Sequence, residues 1–213
     1  MWRTYLQDVI HLIFPPHPDV QQASQVRSEE ILSNLSFTYH AEYSTYTALL
    51  YKNQQVRSLI KANKFYKDTH AAKVLGAVLG ELLVGIVEEQ QILFGTLRPL
   101  IIPIPSSKKR LHERGGNQVE WIIHDAPKEI LSGFDYAPHV LKREHRKSQA
   151  RLSKKMRHTN IRGAFFVHET RAVSKRHIVL VDDVIETGAT MSDAMRTLYK
   201  AGALSVTGAV IAK

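Results

Sequence analysis

The chain has 213 residues, 44% of them hydrophobic, and a net charge of +9, which suits one large domain, or a domain with a small appendage, built on its own core. It contains no cysteine, which excludes a disulfide framework, a thiolate zinc site and a cysteine nucleophile; with Arg3 and Asp8 interrupting the N-terminal apolar run, the expected setting is reducing and cytoplasmic. The positive excess is central: residues 106–162 hold fourteen Lys and Arg against six Asp and Glu, so either an anionic partner (a nucleic acid or a polyphosphate) or simply a solvated basic face is expected.

Residues 1–42 read as an irregular N-terminal appendage, because FPPHP (14–18) breaks local structure, with one short helix between Gln21 and Leu35. Residues 43–213 read as the main domain. YSTYTALLYK (43–52) suits one or two strands. Residues 54–65 and 71–89 carry apolar residues at helical spacing, with Val74, Leu75, Val78, Leu79 and Leu82 on one stripe that packs a core. The apolar run 74–87 is too short to span a bilayer and contains Glu81, so no membrane insertion is expected. LIIPIP (100–105) is a buried strand, residues 116–130 a helix with Val119, Ile122 and Ile123 inward, and 139–143 a short strand. The Lys- and Arg-rich stretch 144–162 reads as a loop or an exposed arm. Residues 177–181 form a strand and residues 192–202 a helix. Ala194, Met195 and Leu198 of that helix face inward and Gly202 stands past its end, before a last strand over 205–212. Strands alternating with helices predict an α/β fold with a mostly parallel central sheet covered on both faces.

The stretch with chemistry is VLVDDVIETGAT (179–190). Ligands of parallel sheets bind beyond the carboxyl ends of the strands, where Asp182 and Asp183 sit. The small residues after them let backbone N–H groups converge, and the following helix brings its positive end close; together these form a phosphate cradle, with Thr187 and Thr190 adding hydroxyls. Two carboxylates do not bind that phosphate. They suit the vicinal hydroxyls of a sugar, or magnesium. The pattern therefore points to a ribose 5-phosphate pocket. Neither the GxxxxGK[ST] nor the GxGxxG motif occurs, so a P-loop and a dinucleotide fingerprint are not indicated.

VLVDDVIETGAT resembles the phosphoribosyl-pyrophosphate signature of type I phosphoribosyltransferases. Further blocks resemble one branch, the ComF (GntX-like) competence family. IPIPSSKKRLHERGGNQVE (102–120) is similar to that family's PVPLSKKRLRERGFNQ segment. LIKANKF (59–65) aligns Lys64 with the family lysine. Residues 141–165 supply Arg143, Gln149, Arg157, Asn160, Ala164 and Phe165 at the spacing of the family's arginine–glutamine–RxxNxxxAF segment. The resemblance covers residues 45–213. It implies a type I phosphoribosyltransferase-like fold with a basic hood over residues 106–162. It implies binding of phosphoribosyl pyrophosphate with magnesium, cytoplasmic location, and a role in natural transformation and DNA uptake, with single-stranded DNA and competence-machinery proteins as partners.

Residue by residue, the resemblance implies that Asp182 and Asp183 hold the ribose hydroxyls and, through the ligand, magnesium. Thr187, Gly188, Ala189 and Thr190 cradle the 5-phosphate. Ser106 and Ser107 face the pyrophosphate, which Lys108, Lys109, Arg110 and Lys64 neutralise, and Glu186 is the candidate general base. In that frame the transferase needs leaving-group neutralisation and exclusion of water rather than a covalent nucleophile. The alternative is a regulatory or single-stranded-DNA-binding module that keeps the pocket as a sensor, with Arg143, Arg146, Lys147, Arg151, Lys154, Lys155 and Arg157 as phosphate contacts. Trp121, Phe134 and Tyr136 are the few aromatics among these basic residues. The family's cysteine zinc module has no counterpart here. His11, His17 and His40 read as scattered surface histidines, so no zinc is expected.

Overall fold

Period-two alternation decides the sheet in the computed structural model, which describes residues 16–95, 98–144 and 163–213. The strands are β1 (Thr38–His40), β2 (Thr45–Leu49), β3 (Leu100–Pro103), β4 (Asp135–Tyr136), β5 (Leu141–Arg143), β6 (Phe165–Val167), β7 (His177–Val184) and β8 (Ser205–Ala212). Six of them form one sheet in the order β1-β2-β8-β7-β3-β4, in which β1 is antiparallel to β2 and the other pairings are parallel. β5 and β6 form a separate antiparallel pair.

The α-helices among the described residues are α1 (Pro18–Ser24), α2 (Ser28–Leu32), α3 (Gln54–Tyr66), α4 (Thr69–Phe94), α5 (Lys108–Arg114), α6 (Gln118–His124), α7 (Lys128–Leu131), α8 (Thr170–Val173) and α9 (Ala189–Lys200). They cover both faces, so the central strands are apolar on each side. Val179 and Val181 of β7 join the core under α3, α4 and α6, while Ile178 and Leu180 join the core under α9. β8 alternates the same way, Ala209 and Ile211 against Val206 and Val210. The expected α4 stripe is buried, with Val74, Leu75, Val78, Leu79 and Leu82 at 2% exposure or less. By length and composition Thr69–Ile92 is apolar enough to cross a membrane, and 61% of the 18-residue apolar window within it is buried inside this fold. α4 also presses on α6: a Cβ at Gly76 would stand 2.6 Å from the Asp125 backbone, an approach only glycine permits.

Several elements differ from the sequence reading. The helix expected over 116–130 is two helices. Asn117 caps the first, its side chain accepting from Val119 N–H, and Pro127 opens the second because proline cannot continue a helix but starts one well. Lys108–Arg114, given no element by the sequence pattern, is helical. It buries no residue and so carries no apolar stripe to read. In the N-terminal part, residues 18–40 form two short helices and an edge strand rather than one short helix in an irregular chain. Pro18 stands in the first turn of α1, and Ala23, Val26 and Ile31 are buried against the α3–α4 core. β7 runs three residues further than expected, and α9 begins at Ala189 instead of near 192.

Those last two differences set the site. β7 carries the acidic pair inside its hydrogen-bonded length, with Asp182 paired to Val210 and Val184 to Ala212. α9 then starts within the TGAT turn itself. β3 lies parallel alongside, Pro103 opposite Val181, and the Ile104 N–H reaches the Val181 carbonyl at 2.8 Å. The turn after Pro105 is thereby delivered next to the two aspartates.

Candidate functional site

A cleft of about 360 Å³ opens at the carboxyl ends of β3 and β7. Its walls come from three places: Asp182 to Met191, the Ile104–Ser106 turn with Arg110 and Gln118, and Tyr51 and Lys64 from across the sheet, with Arg143 closing one side. The structure thus brings together Asp182, Asp183, Glu186, Thr187, Gly188, Ala189, Thr190, Lys64, Ser106 and Arg110. Ser107 is not part of the wall. Its hydroxyl caps α5 by accepting from Arg110 N–H at 3.3 Å. Lys108 and Lys109 lie on the exposed face of α5, and Lys109 pairs with Glu113 at 3.7 Å.

The acidic pair is asymmetric. Asp183 is 5% exposed, and its Oδ1 accepts the Val184 N–H at 2.9 Å. Its Oδ2 is buried and accepts no hydrogen bond among the described residues; the cation facing it is Lys64 Nζ, 3.8 Å away. Asp182 Oδ1 accepts the Asp183 N–H at 2.9 Å. Burial first, and then the adjacent Asp183 carboxylate, pushes Asp182 well above the usual carboxylate range. Two close carboxylates with one unused buried oxygen form a site that a hydroxyl donor or a hard cation completes.

The turn beside them is shaped to admit an anion. Gly188 has φ +73° and precedes α9, and a Cβ there would sit 2.5 Å from the Tyr43 ring. No side chain fits at Gly188, and residues 187–190 line the cleft at the positive end of a twelve-residue helix.

The wall at the Ile104–Ser106 turn is fixed by a polar network. Buried Asn117 donates to the Ile104 carbonyl at 3.1 Å, and Ser106 Oγ points to Asn117 Oδ1 and Gln118 Oε1 at 3.5 and 3.4 Å. Gln118 Oε1 also accepts from Arg114 at 3.0 Å. Burial and neighbouring Arg110 lower the Arg114 pKa, and Arg114 lies 5.3 Å over the exposed Phe65 ring.

Sequence reasoning missed Tyr51, Gln118 and Asn117 as parts of the site. Gln118 lies in the quoted GNQ block, and that block was the available signal; Tyr51 gives none, because it belongs to the site only through the β2–β8 pairing. Arg143, expected among the nucleic-acid contacts, lines the cleft. Arg146, Lys147, Arg151, Lys154, Lys155 and Arg157, and the rest of the expected hood from 145 to 162, lie outside the described residues. Among the described residues no group of three or more His, Asp or Glu forms a metal cluster. His17 stacks on Tyr66 and His40 contacts Thr47, while His11 lies outside the described residues.

A family model described as a phosphoribosyl transferase domain matches residues 125–213, from the end of α6 through β8. The competence protein ComFC of Streptococcus pneumoniae is 30% identical over 162 residues, covering 76% of this chain and 65% of that protein. The DNA utilization protein YhgH of Shigella flexneri is 28% identical over 148 residues, 70% of this chain and 63% of that protein. The chain thus spans slightly less than two thirds of the length of these relatives. A solved glutamine phosphoribosylpyrophosphate amidotransferase from B. subtilis, complexed with ADP and GMP, aligns at 16% identity with a TM-score of 0.41, over 71% of this chain and 30% of that one.

Proposed function

Because the chain belongs to a ComF-like family of phosphoribosyltransferase type, we propose that it binds phosphoribosyl pyrophosphate with magnesium in this cleft and transfers the phosphoribosyl group to an acceptor, in a role linked to DNA uptake. The observation that carries the reading is the buried Asp183 Oδ2, which accepts no hydrogen bond among the described residues, beside the start of α9, where Gly188 leaves no side chain. Phosphate alone would find only repulsion at the two carboxylates. A sugar phosphate uses both halves, its hydroxyls donating to Asp182 and Asp183 and its phosphate taking the N–H groups of Thr187 to Thr190.

Lys64, Arg110 and Ser106 lie on the side where a leaving pyrophosphate would need positive charge and donors. Asp182 and Asp183 are the residues that would hold magnesium through the ligand, and the ion supplies charge neutralisation of the pyrophosphate. Glu186 is exposed at the rim, in position to meet an incoming acceptor as general base. Titration calorimetry with phosphoribosyl pyrophosphate tests the reading. Micromolar binding that needs magnesium and weakens at least about ten-fold in Asp183→Ala is the expected result; a wild type that takes up no ligand with magnesium present refutes it.

A second reading, single-stranded DNA across this face, is favoured by α5, which holds Lys108, Lys109 and Arg110 exposed, Arg110 also lining the cleft. The names of the relatives, competence and DNA utilization, agree with it. Filter binding of an oligonucleotide at 50 and 200 mM salt decides: contacts of this kind lose affinity steeply over that range, and absent or salt-independent binding removes the reading.

A further inference from the structure

Asp193 stands on α9, the helix that begins at the TGAT turn, and its side chain is only 4% exposed. Its two oxygens are divided between consecutive amides from elsewhere in the chain. Gly163 N–H donates to Oδ1 at 2.9 Å and Ala164 N–H to Oδ2 at 3.0 Å. Arg196, half exposed one turn on, approaches Oδ1 at 3.4 Å. A buried carboxylate gripping two adjacent amides makes charge-assisted bonds of defined direction. Gly163 has φ +75°, and such a backbone lets neighbouring N–H groups converge on one anion.

What those amides lead into is the second, two-stranded sheet. β6 starts at Phe165, which lies opposite Arg143 of β5, and Glu144 N–H donates to the Ala164 carbonyl at 2.8 Å. The Arg143 guanidinium is 5.4 Å from the centre of the Phe165 ring and lines the cleft. The carboxylates of Asp182 and Asp193 both act on that guanidinium, while burial and Arg110 hold its pKa below the usual value. Two contacts along a short path therefore connect the helix that starts the phosphate turn to a cation on the opposite wall.

We propose that Asp193 is a positioning residue for the anion site: it ties Gly163 and Ala164 to α9 and so sets the height of Arg143 over the cleft that the same helix opens. The proposal rests on the sugar-phosphate reading of that cleft, but its mechanical half stands without ligand. Asp193→Asn keeps the shape and turns an acceptor into an N–H donor facing another N–H.

Two measurements on the full chain test it. In the ligand-free protein, amide exchange should accelerate in Asp193→Asn at Gly163 and Ala164 and also at Lys142 and Arg143 of β5. Acceleration confined to Gly163 and Ala164, or none, overturns the proposal. In calorimetry with phosphoribosyl pyrophosphate and magnesium, Asp193→Asn and Arg143→Ala should each weaken binding about ten-fold, and the double variant no further than either alone. Additive losses, as a merely structural Asp193 would give, overturn it. A wild type that binds no phosphoribosyl pyrophosphate sinks the cleft reading instead, and the exchange experiment then decides the positioning role alone. Asp193→Ser, which retains one acceptor, replaces Asp193→Asn if that variant does not fold.

Discussion

Lys64 Nζ lies 3.8 Å from Asp183 Oδ2, an oxygen that is buried and accepts no hydrogen bond among the described residues. One residue of the pair comes from α3 and the other from the end of β7, so the contact ties a covering helix to the strand that builds the site. Removing the lysine would strand a buried carboxylate, a change that costs about 1–3 kcal/mol or more. Lys64→Met should therefore destabilise the ligand-free protein by about 2 kcal/mol in urea unfolding, and Asp183→Asn added to it should recover most of that loss. Independent, additive effects of the two changes would show that the pair is not coupled.

The acidic pair also carries a pH signature. Asp182 has its carboxyl raised in the folded protein, by burial and then by Asp183. A group raised on folding binds a proton more readily folded than unfolded. Its favourable contribution is fully present below the ordinary carboxylate pKa, about 3.9, and is lost as pH rises through the raised folded value. In ligand-free protein, Asp182→Asn should therefore gain stability over the wild type as pH rises from 5 to 7.5, read as a growing difference in Tm. Magnesium with phosphoribosyl pyrophosphate should reverse the trend for the wild type alone. A difference in Tm that stays constant across that range would rule the assignment out.

Why the site was largely legible in sequence, while much of its frame was not, follows from where each signal lives. Val179 to Thr190 carries its own pattern: an apolar strand, two carboxylates at its end, and small residues before a helix. Each is a local property, and the structure gathers all of Asp182 to Thr190 in one cleft. Lys64 and Ser106 were reachable only through resemblance, since nothing in QQVRSLIKANKF says which strand its helix will cover. α5 was missed because a seven-residue helix with no buried residue leaves no periodicity; its start is set by the Ser107 cap. Ser107, which the resemblance sets facing the pyrophosphate, has its hydroxyl on that cap: a serine after a strand end reads alike as a phosphate donor and as a helix cap. Pro127 was the visible signal against one helix over 116–130, and the apolar spacing of Val119, Ile122 and Ile123 outweighed it.

Gly188 is the most constrained residue of the phosphate turn. Its φ of +73° disfavours any L side chain, and a Cβ would stand 2.5 Å from the ring of Tyr43. Gly188→Ala should cost about 1–2 kcal/mol from the backbone conformation alone, and more from the displaced ring. Because the turn must shift to relieve the contact, ligand affinity should fall further than stability does. Thermal melts with and without phosphoribosyl pyrophosphate measure both; an alanine variant stabilised by ligand as much as the wild type would contradict the cradle.

Asn117 separates support of the site from contact with it. Its Oδ1 accepts the Val119 N–H at 3.2 Å and so caps α6, while its Nδ2 donates to the Ile104 carbonyl at 3.1 Å and holds the turn that leads to Ser106. Asn117→Ala removes both, at about 1 kcal/mol for the cap and about 1–3 kcal/mol for the buried groups left unpaired. Asn117→Asp keeps the acceptor and loses the donor. If the turn is held through Nδ2, Asn117→Asp should preserve the α6 cap, seen as unchanged amide exchange at Val119, and still weaken phosphoribosyl pyrophosphate binding nearly as much as Asn117→Ala. If the residue serves only as a helix cap, the aspartate variant should bind like the wild type, and the network of Asn117, Gln118 and Ser106 would then have no part in shaping the cleft.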